Sequence, residues 1–453
     1  MRIAVAAAAP LLADEAYYWL WSRRLDWSYL DHPPMIAYLV RLSTVAGDAQ
    51  FWVRLPALVL GVATAWGLYR LGQEMFSERV GFLAALLYQV TPVLGGTGVF
   101  STPDAPLSLA WVSAMLLVWQ ALRGRPWRWA GAGVALGLGL LSKLYLPLLA
   151  AGIVLYLWAR EPGWLRRPHP YAAAGIAAAL FAPVLYWNWT HGWAAVRFVV
   201  AERAEPGGVV GSLGWLRLAE NHLPLVLLLF PAFVWAAAAA WRRRADARFA
   251  YLLTASVPAL VLPVLVAPLG AARGHLAAPG YLGLAVILAA LWSRAVSWLA
   301  LANALLLGVF VMLLLVPGLP PVPGAREYYG WQEVGLRVAE EARALGPEAV
   351  LVADRFQMAA QLAYHTRGTL PVLVLPPQNP ASIWPRPEPH AGSPAVAVTY
   401  APDPPRAGEC FASAEELPSV RVILRGRPLQ QFRVFRLFGL DPRCTRRRVN
   451  RTL

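Results

Sequence analysis

The sequence predicts a polytopic α-helical membrane protein of about ten or eleven transmembrane helices, followed by a small C-terminal α/β domain. Three observations carry that expectation. The 453 residues are 58% hydrophobic and only 14% charged, with a mean hydropathy of +0.48, which is too apolar for a soluble core. The apolar residues fall in blocks of roughly 17 to 22, enough to cross ~30 Å of hydrocarbon at 1.5 Å per residue. Past about residue 318 the composition changes to that of a soluble domain.

The blocks are helices, because a span must satisfy its backbone internally and no alternating barrel strands occur. They lie near 51–69, 80–97, 105–122, 129–142, 144–159, 172–189, 222–241, 249–268, 276–292 and 295–317. The stretch from Ile3 to Leu12 is too short to cross a bilayer and reads as a truncated first helix, or one that enters partway. The expected division is a transmembrane domain over 1–320, with a first outer loop at 13–50, and an α/β domain over 321–453.

The formal charge of +15 raises the question of nucleic acid, and the placement of the cations answers it. They concentrate between spans, in RLGQEMFSER (70–79), RGRPWR (123–128), REPGWLRR (160–167) and WRRRADAR (241–248). Short basic loops of this kind are cytoplasmic in polytopic proteins, and no groove-reading or base-stacking architecture accompanies them. With these loops inside, the connections 13–50, 98–104, 142–143, 190–221 and 269–275 fall outside, together with everything after 318. The alternation closes without conflict.

After the proline-rich PGLPPVPGAREYYG, the tail reads as helix in YYGWQEVGLRVAEEARAL, strand in AVLVADRF and helix in MAAQLAYHT. Further strands follow in LPVLVL, AVAVTY and SVRVILRG. RRRVNRTL is a basic end. Cys410 and Cys444 permit one disulfide if this region is extracytoplasmic, and two free thiols equally.

The residues able to carry chemistry collect on the outer side. Asp14 and Glu15 follow the first apolar segment, and Asp104 opens a span in STPDAPL. A carboxylate at a helix N-terminus serves as a cap as readily as a site, but acids at a membrane boundary are costly unless used. The outer cations are few: Lys143, Arg197, Arg203, Arg273 and His275. Lys143 interrupts an apolar run where the positive-inside rule depletes cations, so it either snorkels or meets a phosphate. Tyr17, Tyr18, Trp19, Trp21, Trp27 and Tyr29 suggest a stretch lying in the interface. With Asp31 and His32 these aromatics can instead line a cavity. Nucleotide loops and zinc spacings are absent, and a lipid phosphate fits both the membrane body and the outer cations.

DEAYYWLWSRRLDWSYLDHPPMIAYLVRL, STPDAPL, LLSKLYLPLL and RGHLAAPGY, in this order and before a soluble domain, resemble the GT-C membrane glycosyltransferases. The similarity is to bacterial relatives of protein O-mannosyltransferases and lipid A aminoarabinose transferases, glycosyltransferase families 39 and 83. It covers about residues 13 to 380. The resemblance implies an inverting transferase of the bacterial inner membrane, with its active site and C-terminal domain extracytoplasmic. It would take a sugar from a polyprenyl-phosphate donor to a lipid, glycan or protein acceptor, without nucleic acid.

The first-loop acid of such enzymes is the catalytic carboxylate, here Asp14, with Glu15 beside it, and Asp104 corresponds to a second outer acid. Lys143, Arg273 and His275 are expected at the donor phosphate. Tyr17, Tyr18, Asp31 and His32 are expected at the acceptor cavity. Relatives carry Lys-Pro-Pro where this chain has His32-Pro33-Pro34. A divalent metal stays open as cofactor, with Asp14 and Asp104 its candidate ligands. The alternative is a transporter of lipid-linked glycans, which calls for charges within the spans and an inverted repeat.

Overall fold

A computed structural model describes residues 1–198, 212–226, 228–269, 274–316, 328–374, 392–400, 410–424 and 426–441. The chain forms two compact units. One comprises Met1–Ala6, Asp26–Leu39 and Arg54–Val311, and the other Ala7–Leu25, Val40–Val53 and Met312–Leu453.

The first unit is helical. Among the described residues, five helices are long and apolar enough to span a membrane: Gln50–Met75, Asp104–Leu122, Pro168–Thr190, Ala247–Leu269 and Ser293–Leu313. Two more spans are bent pairs, Glu78–Val90 with Pro92–Gly98 at 83° and Leu213–Pro224 with Leu229–Arg242 at 106°. Arg128–Leu140, Leu146–Arg160 and His275–Leu291 are shorter apolar helices. A helix therefore stands at each of the ten apolar blocks. At the first bend the Leu94 N–H donates to the Thr91 carbonyl at 3.1 Å, which leaves the Val90 carbonyl without its usual helical donor. The Val90 carbonyl accepts instead from Asn303 Nδ2 at 3.0 Å, which meets the demand that a buried backbone group be satisfied.

The core of this unit runs through Leu87, Trp111, Tyr156, Phe233, Tyr251 and Leu282. One close approach positions the site. A Cβ on Gly139 would stand 2.7 Å from the Leu146 side chain and 2.9 Å from Ala110 Cβ, so only glycine lets Arg128–Leu140 settle against Asp104–Leu122 there. That contact brings the turn at 141–145 to the N-terminal end of the Asp104 helix.

The second unit is α/β. Its sheet has the order β2-β1-β3-β5-β4, with β1 Val350–Ala353, β2 Val372–Val374, β3 Ala395–Thr399, β4 Ser413–Leu424 and β5 Arg427–Phe438. β1 runs parallel to β2 and β3, while β5 is antiparallel to both β3 and β4. β1, β2 and β3 are buried at every position, as parallel strands covered on both faces are. Helix Phe356–His365 makes the crossover from β1 to β2. The sequence reading found β1 to β4 and missed β5, whose apolar residues are interrupted by cations. Arg433 Nε donates to Glu416 Oε1 at 2.7 Å, and Arg436 Nη2 donates to Glu341 Oε2 at 2.7 Å.

Helix Ala13–Ser22 belongs to this unit, and it corrects the expectation of an interfacial aromatic stretch. Tyr17, Tyr18, Trp19 and Trp21 are all buried, at 2, 5, 2 and 0% exposure. Tyr17 packs on Phe356 with ring centroids 4.8 Å apart, and Trp19 meets the face of Tyr364 edge-on at 5.2 Å. The Trp19 indole donates to Asp48 Oδ1 at 2.8 Å, and Tyr364 Oη to the Asp48 carbonyl at 2.8 Å. Large rings gain more from a dry packed contact than from the headgroup layer. Trp27, in the first unit, is 57% exposed.

Candidate active site

In the first unit, charges from the loops expected on the outer side converge. Lys143 Nζ lies 2.8 Å from Asp104 Oδ1 and 3.1 Å from Oδ2, a bidentate ion pair between side chains only 7% and 19% exposed. The pair is built by local structure. Asp104 is the first residue of its helix, where the dipole favours an anion. Lys143 sits in a turn whose N–H donates to the Gly139 carbonyl at 3.0 Å. Its ammonium also lies 5.5 Å from the Tyr145 ring centroid, a cation–π distance.

His32 and His275 lie within electrostatic reach of the Asp104 carboxylate. The His-Pro-Pro loop is tied to the lysine turn by the Met35 N–H, which donates to the Leu141 carbonyl at 3.0 Å. Pro33 and Pro34 are buried, and having no N–H they leave no donor to satisfy there. The start of the loop is fixed by Asp26, whose Oδ2 accepts from Trp187 Nε1 at 2.9 Å and whose carbonyl accepts from Tyr38 Oη at 2.8 Å. Asp31 and His32 are half-buried, and His275 is exposed. Arg273 and Arg203 lie outside the described residues.

The basic loops gather at the other end of this unit. Gln120, near the C-terminus of the Asp104 helix, donates to Glu74 Oε1 at 2.6 Å. Arg248 donates to the Met75 carbonyl at 3.2 Å, and Arg160 donates to the Arg244 carbonyl. The 19-residue helix Asp104–Leu122 thus separates the Asp104–Lys143 pair from the basic loops by roughly 25 Å at 1.5 Å per residue.

In the second unit the adjacent carboxylates have different surroundings. Glu15 is fully buried, and its Oε2 accepts from the Leu12 N–H at 3.0 Å, which is the work of a helix cap. Asp14 is exposed and lines a cavity of about 740 Å³. Its helix is anchored by Gln361, itself 0% exposed, whose Nε2 donates to the Leu11 carbonyl at 2.9 Å. Cys410 is buried and disulfide-bonded; Cys444 lies outside the described residues. Among the described residues no three His, Cys, Asp or Glu side chains gather to hold a metal ion. Asp104 already has both oxygens engaged by Lys143.

The sequence reading did not single out His222. Its Nε2 lies 2.6 Å from Tyr281 Oη, with the rings stacked at 5.6 Å. Both line an apolar cavity of about 610 Å³ with Phe230, Phe233, Leu260 and Leu284. A lone histidine in an apolar helix, NHLPLV, was the available signal.

Residues 31–187 match the family model described as dolichyl-phosphate-mannose-protein mannosyltransferase. The lipid A galacturonosyltransferase RgtD of Rhizobium johnstonii is 27% identical over 378 residues, covering 80% of this chain and 78% of that protein. An undecaprenyl phosphate-alpha-4-amino-4-deoxy-L-arabinose arabinosyl transferase of Pseudomonas fluorescens is 26% identical over 49% of this chain, and the match spans 42% of its own length. The crystal structure of ArnT from Cupriavidus metallidurans superimposes with a TM-score of 0.63 at 16% identity, covering 96% of this chain and 95% of that one. The chain has the fold of ArnT, the GT-C fold of membrane glycosyltransferases. It is a multi-pass protein of the inner membrane type, and the relatives found for it are transferases, which leaves the transporter alternative without support.

Proposed function

We propose that this GT-C glycosyltransferase moves a sugar, with inversion, from a polyprenyl-phosphate donor to an extracytoplasmic lipid, glycan or protein acceptor. The observation that carries the reading is the buried Lys143–Asp104 pair with His32 and His275 in electrostatic reach of it. A lysine held in a nearly dry site and already oriented by a carboxylate, with two histidines in reach, suits a phosphate leaving group that gains charge as its bond to the anomeric carbon breaks. A relative of the same fold, ArnT, has been crystallised bound to undecaprenyl phosphate. The apolar cavity beside His222 and Tyr281 offers room of the right character for part of a lipid chain.

In this reading Asp14 is the general base. It takes the proton of the acceptor hydroxyl as that oxygen forms the new bond to the anomeric carbon from the face opposite the phosphate. The phosphate oxygen departs with the bonding pair, and its negative charge is met by Lys143, His275 and Arg273. Asp104 holds Lys143 in place. Glu15 is a structural cap, and His32 is a further cation candidate for the phosphate. Tyr17 and Tyr18, being buried, support the Asp14 helix by packing, and Asp31 is left at the loop. The proposed division keeps the transmembrane catalytic domain at 1–320 and the α/β domain at 321–453. No step is assigned to a metal.

The extracytoplasmic placement rests on charge. The basic loops lie at the end of the first unit remote from Asp104, and such loops face the cytoplasm. A disulfide at Cys410 agrees with an oxidising compartment for the α/β unit. The test is transfer from a polyprenyl-phosphate sugar by the purified full chain in nanodiscs. Asp14→Asn is expected to bind donor and to lose transfer by at least a hundredfold, the usual worth of a general base. Transfer at the unaltered rate in a folded Asp14→Asn protein would overturn the assignment.

A further inference from the structure

Three basic loops meet at the end of the first unit remote from Asp104, and the transfer chemistry uses none of them. RGRPWR (123–128), REPGWLRR (160–167) and WRRRADAR (241–248) carry ten arginines and two acids. Side-chain contacts join the loops into one patch. The Trp129 and Trp164 rings lie 6.0 Å apart and the Trp164 and His169 rings 5.9 Å, while Arg160 donates to the carbonyls of Arg244 and Ala245. One of the two acids is spent, because Arg248 engages both oxygens of Asp246.

The arginines of the patch are posed rather than neutralised. The Arg128 guanidinium stands 4.0 Å from the Trp127 ring centroid, and that of Arg167 4.4 Å from the Trp164 centroid. Stacking of this kind orients a guanidinium and leaves its N–H edge open. Arg125, Arg166, Arg242 and Arg243 are exposed and engage no carboxylate, carbonyl or ring among the described residues. In the seam between the first two loops, Arg128 Nε, Trp129 Nε1 and His169 Nδ1 are buried without a hydrogen-bond partner among the described residues. The first two can only donate, so what the seam lacks is an acceptor. Trp127, Trp158 and Trp241, each at the end of an apolar helix, are 64, 70 and 62% exposed. Exposed indoles at span ends mark the headgroup depth of a bilayer.

We infer that this patch is a binding site for the headgroup of an anionic phospholipid in the leaflet at that end of the protein. The tryptophans set the open guanidiniums level with lipid phosphates, and a guanidinium fork takes two phosphate oxygens at once. Basic surfaces between spans are where such headgroups are held. A lipid seated there bridges the connections that close helices Arg128–Leu140, Leu146–Arg160 and Leu229–Arg242. The inference needs this end to lie at a membrane surface, and depends neither on Asp14 nor on which face of the membrane that is.

Native mass spectrometry of the full chain in detergent tests it, with equal amounts of phosphatidylglycerol and phosphatidylcholine of the same acyl chains. Protein carrying phosphatidylglycerol should exceed protein carrying phosphatidylcholine by about tenfold, the worth of one charge-assisted contact. Replacing Arg166, Arg167, Arg242 and Arg243 together by Gln should bring the two lipids to equal occupancy. The same four positions as Lys should keep part of the preference, and Arg421→Gln, at an exposed arginine on β4, should leave it whole. An unchanged melting temperature without added lipid shows that each variant is folded, and sugar transfer by the Gln variant in detergent should match the parent. Equal occupancy by the two lipids in the parent, or a folded Gln variant that keeps the preference, overturns the site. So does displacement of the lipid by inorganic phosphate, which would make the ligand a free anion, or by an acidic peptide of equal charge, which would give the patch to a protein partner.

Discussion

Replacing Lys143 by methionine removes the positive half of a pair that is almost dry, at 7% and 19% side-chain exposure. At 2.8 Å the attraction is about 6 kcal/mol for an effective dielectric of 20, and most of it offsets the cost of taking two charges out of water. Breaking the pair from one side leaves the Asp104 carboxylate uncompensated, which costs about 3–5 kcal/mol. At roughly 2 °C per kcal/mol for a unit of this size, the unfolding midpoint should fall by about 6–10 °C. Asp104→Asn with Lys143→Met together leaves no charge behind and should recover more than half of that loss. Thermal unfolding in one detergent, followed by tryptophan fluorescence, measures both effects, and donor transfer is measured on the same samples. The double variant should regain stability and stay inactive, because the cation proposed for the leaving phosphate is gone. A Lys143→Met protein as stable as the parent, or a double variant no better than the single, would refute the account of the pair; full transfer by the double variant would refute its role.

Glu15→Gln should keep the Leu12 cap and near-normal transfer, whereas Glu15→Ala should destabilise by about 1 kcal/mol, which separates the two neighbouring acids by chemical denaturation and activity on the same variants. Gln361→Leu should leave the Leu11 carbonyl without its buried donor, costing about 1–3 kcal/mol and lowering kcat more than it raises KM for donor, as a residue that positions the Asp14 helix would. Burial pushes the His365 imidazole from 6.5 down to about 4. The unfolded chain therefore binds a proton that the folded chain refuses over that window, so the α/β unit should lose stability as pH falls from about 6.5 to 4; His365→Gln should flatten this dependence in pH-resolved melting curves. Protein denatured without reduction should take up no maleimide label at its two cysteines and two labels after reduction, whereas labelling before reduction would contradict an oxidised Cys410.

How much of this was legible in the sequence depends on what sort of contact decides each feature. The ten helices were legible because a span is recorded in one contiguous apolar block, and Pro92 even marked the break within 80–97 without giving its angle. The Asp104–Lys143 pair was half legible. Charge rules placed both residues on one side, but the contact is made across 39 positions and depends on Gly139 being small enough to admit Ala110 and Leu146. The aromatic run at 17–21 was misread because burial in a protein core and rest at a membrane interface select the same rings. What distinguishes them is helix Phe356–His365, more than 300 residues on, which no local pattern can supply. β5 was hidden because its cations satisfy themselves on Glu341 and Glu416, so charges that look fatal to a buried strand are paired at its margins. Asp14 and Glu15 show the limit most sharply. Adjacent residues on a helix point about 100° apart, so one carboxylate closes on its own backbone at Leu12 while the other is left to a cavity. Composition and motif treat the two as a pair, and only the rotation of one helix, set by Gln361 and the packing of Tyr17 on Phe356, gives Glu15 to the helix cap and puts Asp14, the proposed base, at the cavity wall.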